Sequence, residues 1–191
     1  MPSSMIHILL ARKLKPDMPI PFMVGSLAPD AFNGTYLEKD KNHFRDLPDR
    51  LDALRGYARE ADCKNEFFMG VLLHLYADYL WDREAVDLYK SGYNDNSWVA
   101  SYRENILMTS NWLFHRFDWC DGLWRDMLSC PDGLLYEFRG ISKPDIRGYL
   151  ERNYALLTRE KLEPSKLYTP EYTFEFVERA GEGFIQLTID S

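Results

Sequence analysis

From Phe67 to Asp82 the chain reads Phe-Phe-Met-Gly-Val-Leu-Leu-His-Leu-Tyr-Ala-Asp-Tyr-Leu-Trp-Asp, an apolar run too long for one strand and interrupted by His74, Asp78 and Asp82. Residues four apart on a helix lie one above the other, so His74 and Asp78 project together from one face, and Asp82 continues the stripe a turn later. A helix this apolar is buried, and its polar groups must find partners because leaving them unpaired is costly. Two readings stand side by side. The pair is half of a metal site, or it is a structural pair satisfied by itself or by a neighbouring helix. Gly70, one turn before His74, has no side chain and leaves room for another backbone.

The rest of the pattern is helical nearly throughout. Ser3 or Ser4 caps a helix to about Leu14 with Met5, Ile6, Leu9 and Leu10 inward, ended by Pro16, Pro19 and Pro21. A short apolar helix or turn spans Phe22 to Leu27, and Pro29 biases Ala28 away from helical geometry. Asn33 to Asp46 reads as a polar loop. Pro48 precedes a helix bearing Leu51, Leu54 and Tyr57. The long apolar helix runs from about Asn65 to Tyr89 and is closed by Ser91-Gly92.

Ser97 opens the next helix, expected to reach Cys120, and turn signals at Asp121-Gly122 and at Pro131-Asp132-Gly133 stand around a further short helix. Ser142 caps a helix to about Thr158, and Thr169-Pro170 opens a last one that should break near Gly181 and Gly183. No alternating run of useful length occurs. These signals predict an all-α fold, a multi-helix bundle forming a single domain over residues 1–191.

Composition narrows the function. A hydrophobic fraction of 46% excludes disorder, and 30 acidic against 23 basic residues give a net charge of -7, which opposes stable binding to nucleic acid or to anionic membrane. An anionic substrate would need a local positive centre, which a bound divalent metal supplies. Three cysteines, Cys63, Cys120 and Cys130, offer neither a disulfide framework nor a thiolate zinc site and read as reduced, packed thiols. The apolar stretch from Met5 to Ala11 is followed, rather than preceded, by Arg12 and Lys13. It is too short for a signal peptide or a membrane span, so a cytoplasmic protein without membrane insertion is expected.

Other polar residues are individually unremarkable. His7 lies mid-helix between isoleucines, where a satisfied core histidine is the plain reading. Asp30 follows Pro29 in a loop, and His43-Phe44 sits in the polar stretch, where exposure is the plain reading. His115 with Asp118 makes a weak half-site at most, and a core or surface role is favoured for it. The five tryptophans Trp81, Trp98, Trp112, Trp119 and Trp124 serve either a core or an apolar substrate pocket.

Together these residues form an ordered set: His7, then Gly25-Ser26-Leu27-Ala28-Pro29-Asp30, then His43-Phe44, then Gly70-Val71-Leu72-Leu73-His74-Leu75-Tyr76-Ala77-Asp78. The order resembles that of the zinc-dependent phospholipase C family and its cytoplasmic bacterial relatives, over roughly the first half of the chain. The resemblance implies the all-α phospholipase C and P1 nuclease fold and hydrolysis of phosphodiesters at a multinuclear zinc site. Carried over, Asp30, His43, His74 and Asp78 surround one metal, and Asp78 bridges to a second bound by His7. Asp30 and Asp78 would be the catalytic carboxylates. Mixed imidazole and carboxylate donors suit zinc and similar first-row ions.

The chain also departs from the family. The secreted phospholipases bind metal through the amine of an N-terminal tryptophan, whereas this chain begins Met1-Pro2-Ser3, and it lacks the further His-x-x-x-Glu helix of their third site. Asp82 stands where many relatives carry another histidine. It is read as orienting His74 or a water from behind the ligands.

One or two ions are therefore expected, and two functions. The first is a metal-dependent hydrolase of a small phosphate ester (a phosphodiesterase like phospholipase C), acting through a metal-activated water. The second is a non-catalytic, metal-stabilised helical domain for binding or assembly. A phosphohydrolase of the adjacent His-Asp type is discounted because no histidine is followed by aspartate.

Overall fold

A computed structural model describes residues 2–60, 65–90 and 98–189 of the chain. Cys63, Ser91-Gly92 and Ser97 lie outside them. Among the described residues every regular element is helical and no strand occurs; Phe138 and Ile141 make an isolated antiparallel bridge. The all-α expectation holds.

Helix α1 (Ser4–Leu14) begins at Ser3, whose hydroxyl accepts from the Ile6 amide, and it is buried nearly all round, with Ile8 fully buried and Leu9 only partly. Pro21 does not end this helix. It opens α2 (Ile20–Gly25), where a missing N–H costs nothing. A 3-10 turn, Ala28–Ala31, follows with Pro29 inside its first turn, so Ala28 keeps a helical place despite the proline.

The stretch expected as a loop contains α3 (Tyr36–Asn42). Its start is a reciprocal capping box, in which Thr35 accepts from the Glu38 amide and the Glu38 carboxylate accepts from the Thr35 amide. Helix α4 (Arg50–Glu60) buries Leu54 and Ala58.

Asn65 caps α5 (Glu66–Trp81), which passes through a π-helical turn at Asp82–Val86 into α6 (Asp87–Lys90). Helices α7 (Trp98–Arg116) and α8 (Trp119–Leu128) are separate. The chain breaks at Phe117-Asp118, and Asp121-Gly122 sits inside α8 rather than at a turn, with Asp121 held by the Tyr154 hydroxyl at 2.7 Å. Helix α9 (Lys143–Leu157) has the Ser142 cap and Pro144 as read from the sequence.

Helix α10 (Pro170–Ile189) runs unbroken through both glycines. Gly181 faces Leu10 and Lys13, and Gly183 faces the Tyr76 hydroxyl, so these residues serve close packing.

Helix α5 packs against α1, α2, α4 and α10, and its tightest partner is α2. At their crossing Gly70 lies against the Phe22 carbonyl and Gly25 against the Phe67 carbonyl. The approach that Gly70 permits in principle is thus realised, backbone on backbone. Trp81 and Trp124 are buried in the core, and Trp112 and Trp119 pack partly against it. Cys120 and Cys130 are buried free thiols. No described helix is long and apolar enough to cross a membrane.

Candidate metal centre

Four elements bring five donors together. His7 comes from α1, Asp30 from the 3-10 turn, His43 from the C-cap of α3, and His74 and Asp78 from one face of α5. Relative exposure is 0% for His43, His74 and Asp78, 1% for His7 and 9% for Asp30, so these charges and rings are taken out of water as a group. The plain reading of His43 as exposed is overturned. Its ring is turned inward by Phe44, which takes a left-handed φ of 56° and packs on Tyr57. A bulky residue in that region marks a local conformation enforced by its surroundings.

The imidazole orientations are fixed from behind. His43 Nδ1 lies 2.8 Å from the Lys39 carbonyl and His74 Nδ1 lies 2.9 Å from the Ser26 carbonyl. A carbonyl only accepts, so each Nδ1 carries the proton and each Nε2 presents a lone pair. These two lone pairs face each other at 3.4 Å. The same space is bounded by Asp30 Oδ1, 3.6 Å from His43 Nε2 and 4.0 Å from His74 Nε2. Asp78 Oδ2 bounds it as well, at 3.7 and 3.8 Å.

Four potential ligand atoms thus converge, two of them bearing lone pairs when the rings are neutral. Donors about 2.0–2.2 Å from a tetrahedral zinc lie about 3.3–3.6 Å from one another, so these spacings need to close by only a few tenths of an ångström. The residues fit the ion. Carbonyl-anchored Nδ1 atoms are also the usual second layer around metal-bound imidazoles.

His7 occupies the neighbouring position. Its ring stacks on His74 at 4.0 Å and 9°, and its Nε2 lies 3.5 Å from Asp78 Oδ1. Neither nitrogen of His7 nor Asp78 Oδ1 has a hydrogen-bond partner, although all three are buried. Asp78 therefore turns one oxygen to each half of the cluster. His7, Asp30 and His74 form one group of donors close enough to share an ion, and His43, His74 and Asp78 another.

The electrostatics favour the ligating protonation states. Burial chiefly, with the neighbouring His7 ring adding to it, pushes His74 down to about 3, so it is neutral. Asp30 is held well below the usual carboxylate range. Burial works against its charge, and the Lys39 ammonium 3.1 Å away overcomes it. Asp78 is likewise held low against burial by Arg45, whose Nη2 donates to Oδ2 at 2.8 Å.

A prediction about stability follows. His74 titrates lower folded than unfolded, so the unfolded chain takes up the proton first as pH falls below about 6.5. Metal-free protein should lose about 1.4 kcal/mol of stability per pH unit from there towards about 3. Denaturant midpoints in EDTA at pH 7, 6 and 5 read this, and a flat profile would contradict a buried neutral His74.

No family model, curated protein or solved structure matches this chain.

One expectation changes and one holds. Asp82 does not reach His74; its Oδ2 accepts from Arg45 Nε at 2.7 Å and from Arg50 Nη1 at 2.8 Å, so it touches the centre through Arg45. His115 is exposed at the end of α7, where its Nε2 donates to the Arg159 carbonyl, and it belongs to neither donor group.

The sequence reading missed Lys39, Arg45, Arg50 and Tyr149, whose hydroxyl lies 3.4 Å from Asp30 Oδ2. Lys39 was legible in principle. The Thr35-x-x-Glu38 capping box announces α3, and Lys39 then stands one turn before His43. Arg45 and Tyr149 carry no comparable local signal.

Of the five donors only Asp30 lines the adjoining cleft of about 1070 Å³, whose other walls include α7 and α9. Of the five tryptophans only Trp98 lines it.

Proposed function

We propose that the protein is a metal-dependent hydrolase of phosphate esters, related to the zinc-dependent phospholipase C family. Asp30, His43, His74 and Asp78 hold one ion, and His7 with Asp78 contributes to a second. The observation that carries this reading is the convergence of two imidazole Nε2 atoms and two carboxylate oxygens from residues up to 48 positions apart. Nothing local forces such residues together. A bound zinc or similar ion would supply a water activated near neutral pH and neutralise a phosphoryl oxygen.

The chain's own groups prepare the rest. The Ser26 and Lys39 carbonyls keep His74 and His43 in one tautomer. Asp78 presents an oxygen to each half of the centre. Burial and the Asp30 charge push the Tyr149 phenol well above its ordinary value, so it stays a donor beside Asp30.

A second reading, a non-catalytic helical domain for binding or assembly, is favoured by one observation. Lys39, Arg45 and Arg50 already balance Asp30, Asp78 and Asp82, three charges against three, so the cluster can be neutral without an ion.

Metal analysis of the purified protein separates the two, together with a panel of generic phosphodiesters and phosphomonoesters assayed in zinc, manganese and EDTA. Stoichiometry near one or two and turnover that EDTA removes select the hydrolase; metal-free, inactive protein selects the domain. His115→Ala is expected to leave metal content and turnover unchanged, and equal metal loss in His115→Ala and His74→Ala would show that His115 has been misplaced.

A further inference from the structure

The cleft is basic within an acidic protein. Lys39, Arg45, Lys90 and Arg103 line it against Asp30, Asp40 and Asp82, four cations to three carboxylates in a chain of net charge -7. Two of those cations sit at its floor, beside the donors. Lys39 Nζ is 3.1 Å from Asp30 Oδ1, and Arg45 Nη2 is 2.8 Å from Asp78 Oδ2. Their side chains stay 22% and 21% exposed, so both reach the open space. The facing wall is apolar, built from Trp98, Val99, Ile106, Leu107 and Leu156.

Asp30 Oδ1 and Asp78 Oδ2 are each claimed from two sides. They hold the two cations, and they are also the oxygens facing His43 Nε2 and His74 Nε2. A cation taken up among the imidazoles draws on the same carboxylate charge, which leaves Lys39 short of its partner and Arg45 with Asp82, a carboxylate it shares with Arg50. Two positive charges then stand at the floor of a cleft whose wall is greasy.

We propose that Lys39 and Arg45 form a clamp that selects a phosphomonoester dianion carrying an apolar group over a phosphodiester monoanion. The proposal rests on the phosphate-ester reading above and names the substrate class of that centre. A monoester offers three terminal oxygens and, above its second pKa of about 6, nearly two negative charges. A diester offers two such oxygens and one charge. A planar guanidinium and a point-charge ammonium set side by side match the former in charge and donor number. The apolar substituent lies along Trp98 and Leu107, where each buried methylene adds to binding.

The phosphorus-carbon bond of octylphosphonate and methylphosphonate is not hydrolysed, so these two report binding without turnover; the monomethyl ester keeps one methyl ester bond, and its integrity after titration is checked by phosphorus NMR. Octylphosphonate, its monomethyl ester and methylphosphonate are titrated by calorimetry at about pH 9, in zinc and in EDTA, into wild type and Lys39→Gln. In zinc, octylphosphonate should bind at least about tenfold more tightly than either comparison ligand, since one charged hydrogen bond is worth about tenfold to a hundredfold. Lys39→Gln should remove that preference over the monomethyl ester while changing affinity for the ester itself by less than about threefold.

Equal affinity of wild type for the phosphonate and its ester overturns the clamp. So does an undiminished preference in a folded Lys39→Gln. Methylphosphonate binding as tightly as octylphosphonate overturns the apolar half. If Lys39→Gln fails to fold, the three-ligand series on wild type decides alone. If the protein takes up no zinc, the hydrolase reading fails separately. The series in EDTA then decides: a dianion preference retains the clamp, and its absence removes it.

Discussion

Asp78→Asn should lower phosphate-ester turnover by about a thousandfold, more than any other single change among the five donors. The reason is geometric. Asp78 Oδ1 faces His7 Nε2 at 3.5 Å while Oδ2 faces His43 and His74 at 3.7 and 3.8 Å, so one carboxylate serves both halves of the centre. Asparagine keeps the shape and loses the charge, weakening both positions together, and several kcal/mol of lost charge stabilisation corresponds to about three decades in rate.

The substitution also strips Arg45 of a charged partner, so melting curves must accompany the kinetics. Asp82→Asn should be milder, about 10- to 100-fold, because Asp82 meets the centre through Arg45 rather than as a donor. Turnover and metal content untouched in a folded Asp78→Asn protein would place the chemistry elsewhere.

Gly70→Ala should cost about 3 kcal/mol of stability or more and weaken metal binding with it. A Cβ at Gly70 would lie 2.2 Å from the Phe22 carbonyl oxygen and 2.8 Å from the Ser26 amide nitrogen. Both are backbone atoms that no rotamer change can move, so α2 and α5 must separate, and overpacking of this kind costs about 1–3 kcal/mol or more. In a domain of this size each kcal/mol lowers Tm by about 2–4 °C.

Separation also withdraws the Ser26 carbonyl from His74 Nδ1 and frees the imidazole to turn. Gly56→Ala is the matched control. It lies in α4 with nothing within 4 Å of the added carbon, and it should stabilise by up to about 1 kcal/mol. Equal stability of Gly70→Ala and wild type in chemical denaturation would refute the account of the crossing.

How much of this was legible in the sequence depends on whether the signal was local. The burial of α5, the Ser142 cap and the Gly70 approach follow from spacing within one helical turn or two, and each is observed. Element ends were misread where a competing local term prevailed. Asp121-Gly122 looked like a turn, yet Tyr154 holds Asp121 inside α8. Asn33 to Asp46 looked like a loop because its residues are polar, yet Thr35 and Glu38 nucleate α3.

The donors themselves were named from the order of motifs. Their convergence is a tertiary fact that no spacing dictates, and the structure brings His7, Asp30, His43, His74 and Asp78 into one cluster. The cations were invisible for the same reason. Arg45 finds Asp78 and Asp82 across 33 and 37 positions, and a lone arginine in a polar stretch announces neither.

The five donors all lie within residues 7–78, whereas the apolar wall of the cleft comes from α7 and α9, beyond residue 97. On the proposed reading, reactivity and selectivity are thus written in different lengths of chain, joined at few points such as Tyr149 on Asp30. Drift at Val99, Ile106 or Leu107 can reshape what the cleft admits while the ligand cage is left alone. A lineage built on this plan can change its diet without relearning its chemistry, and a library randomised along the cleft face of α7 should yield variants that differ in preferred ligand but not in metal content.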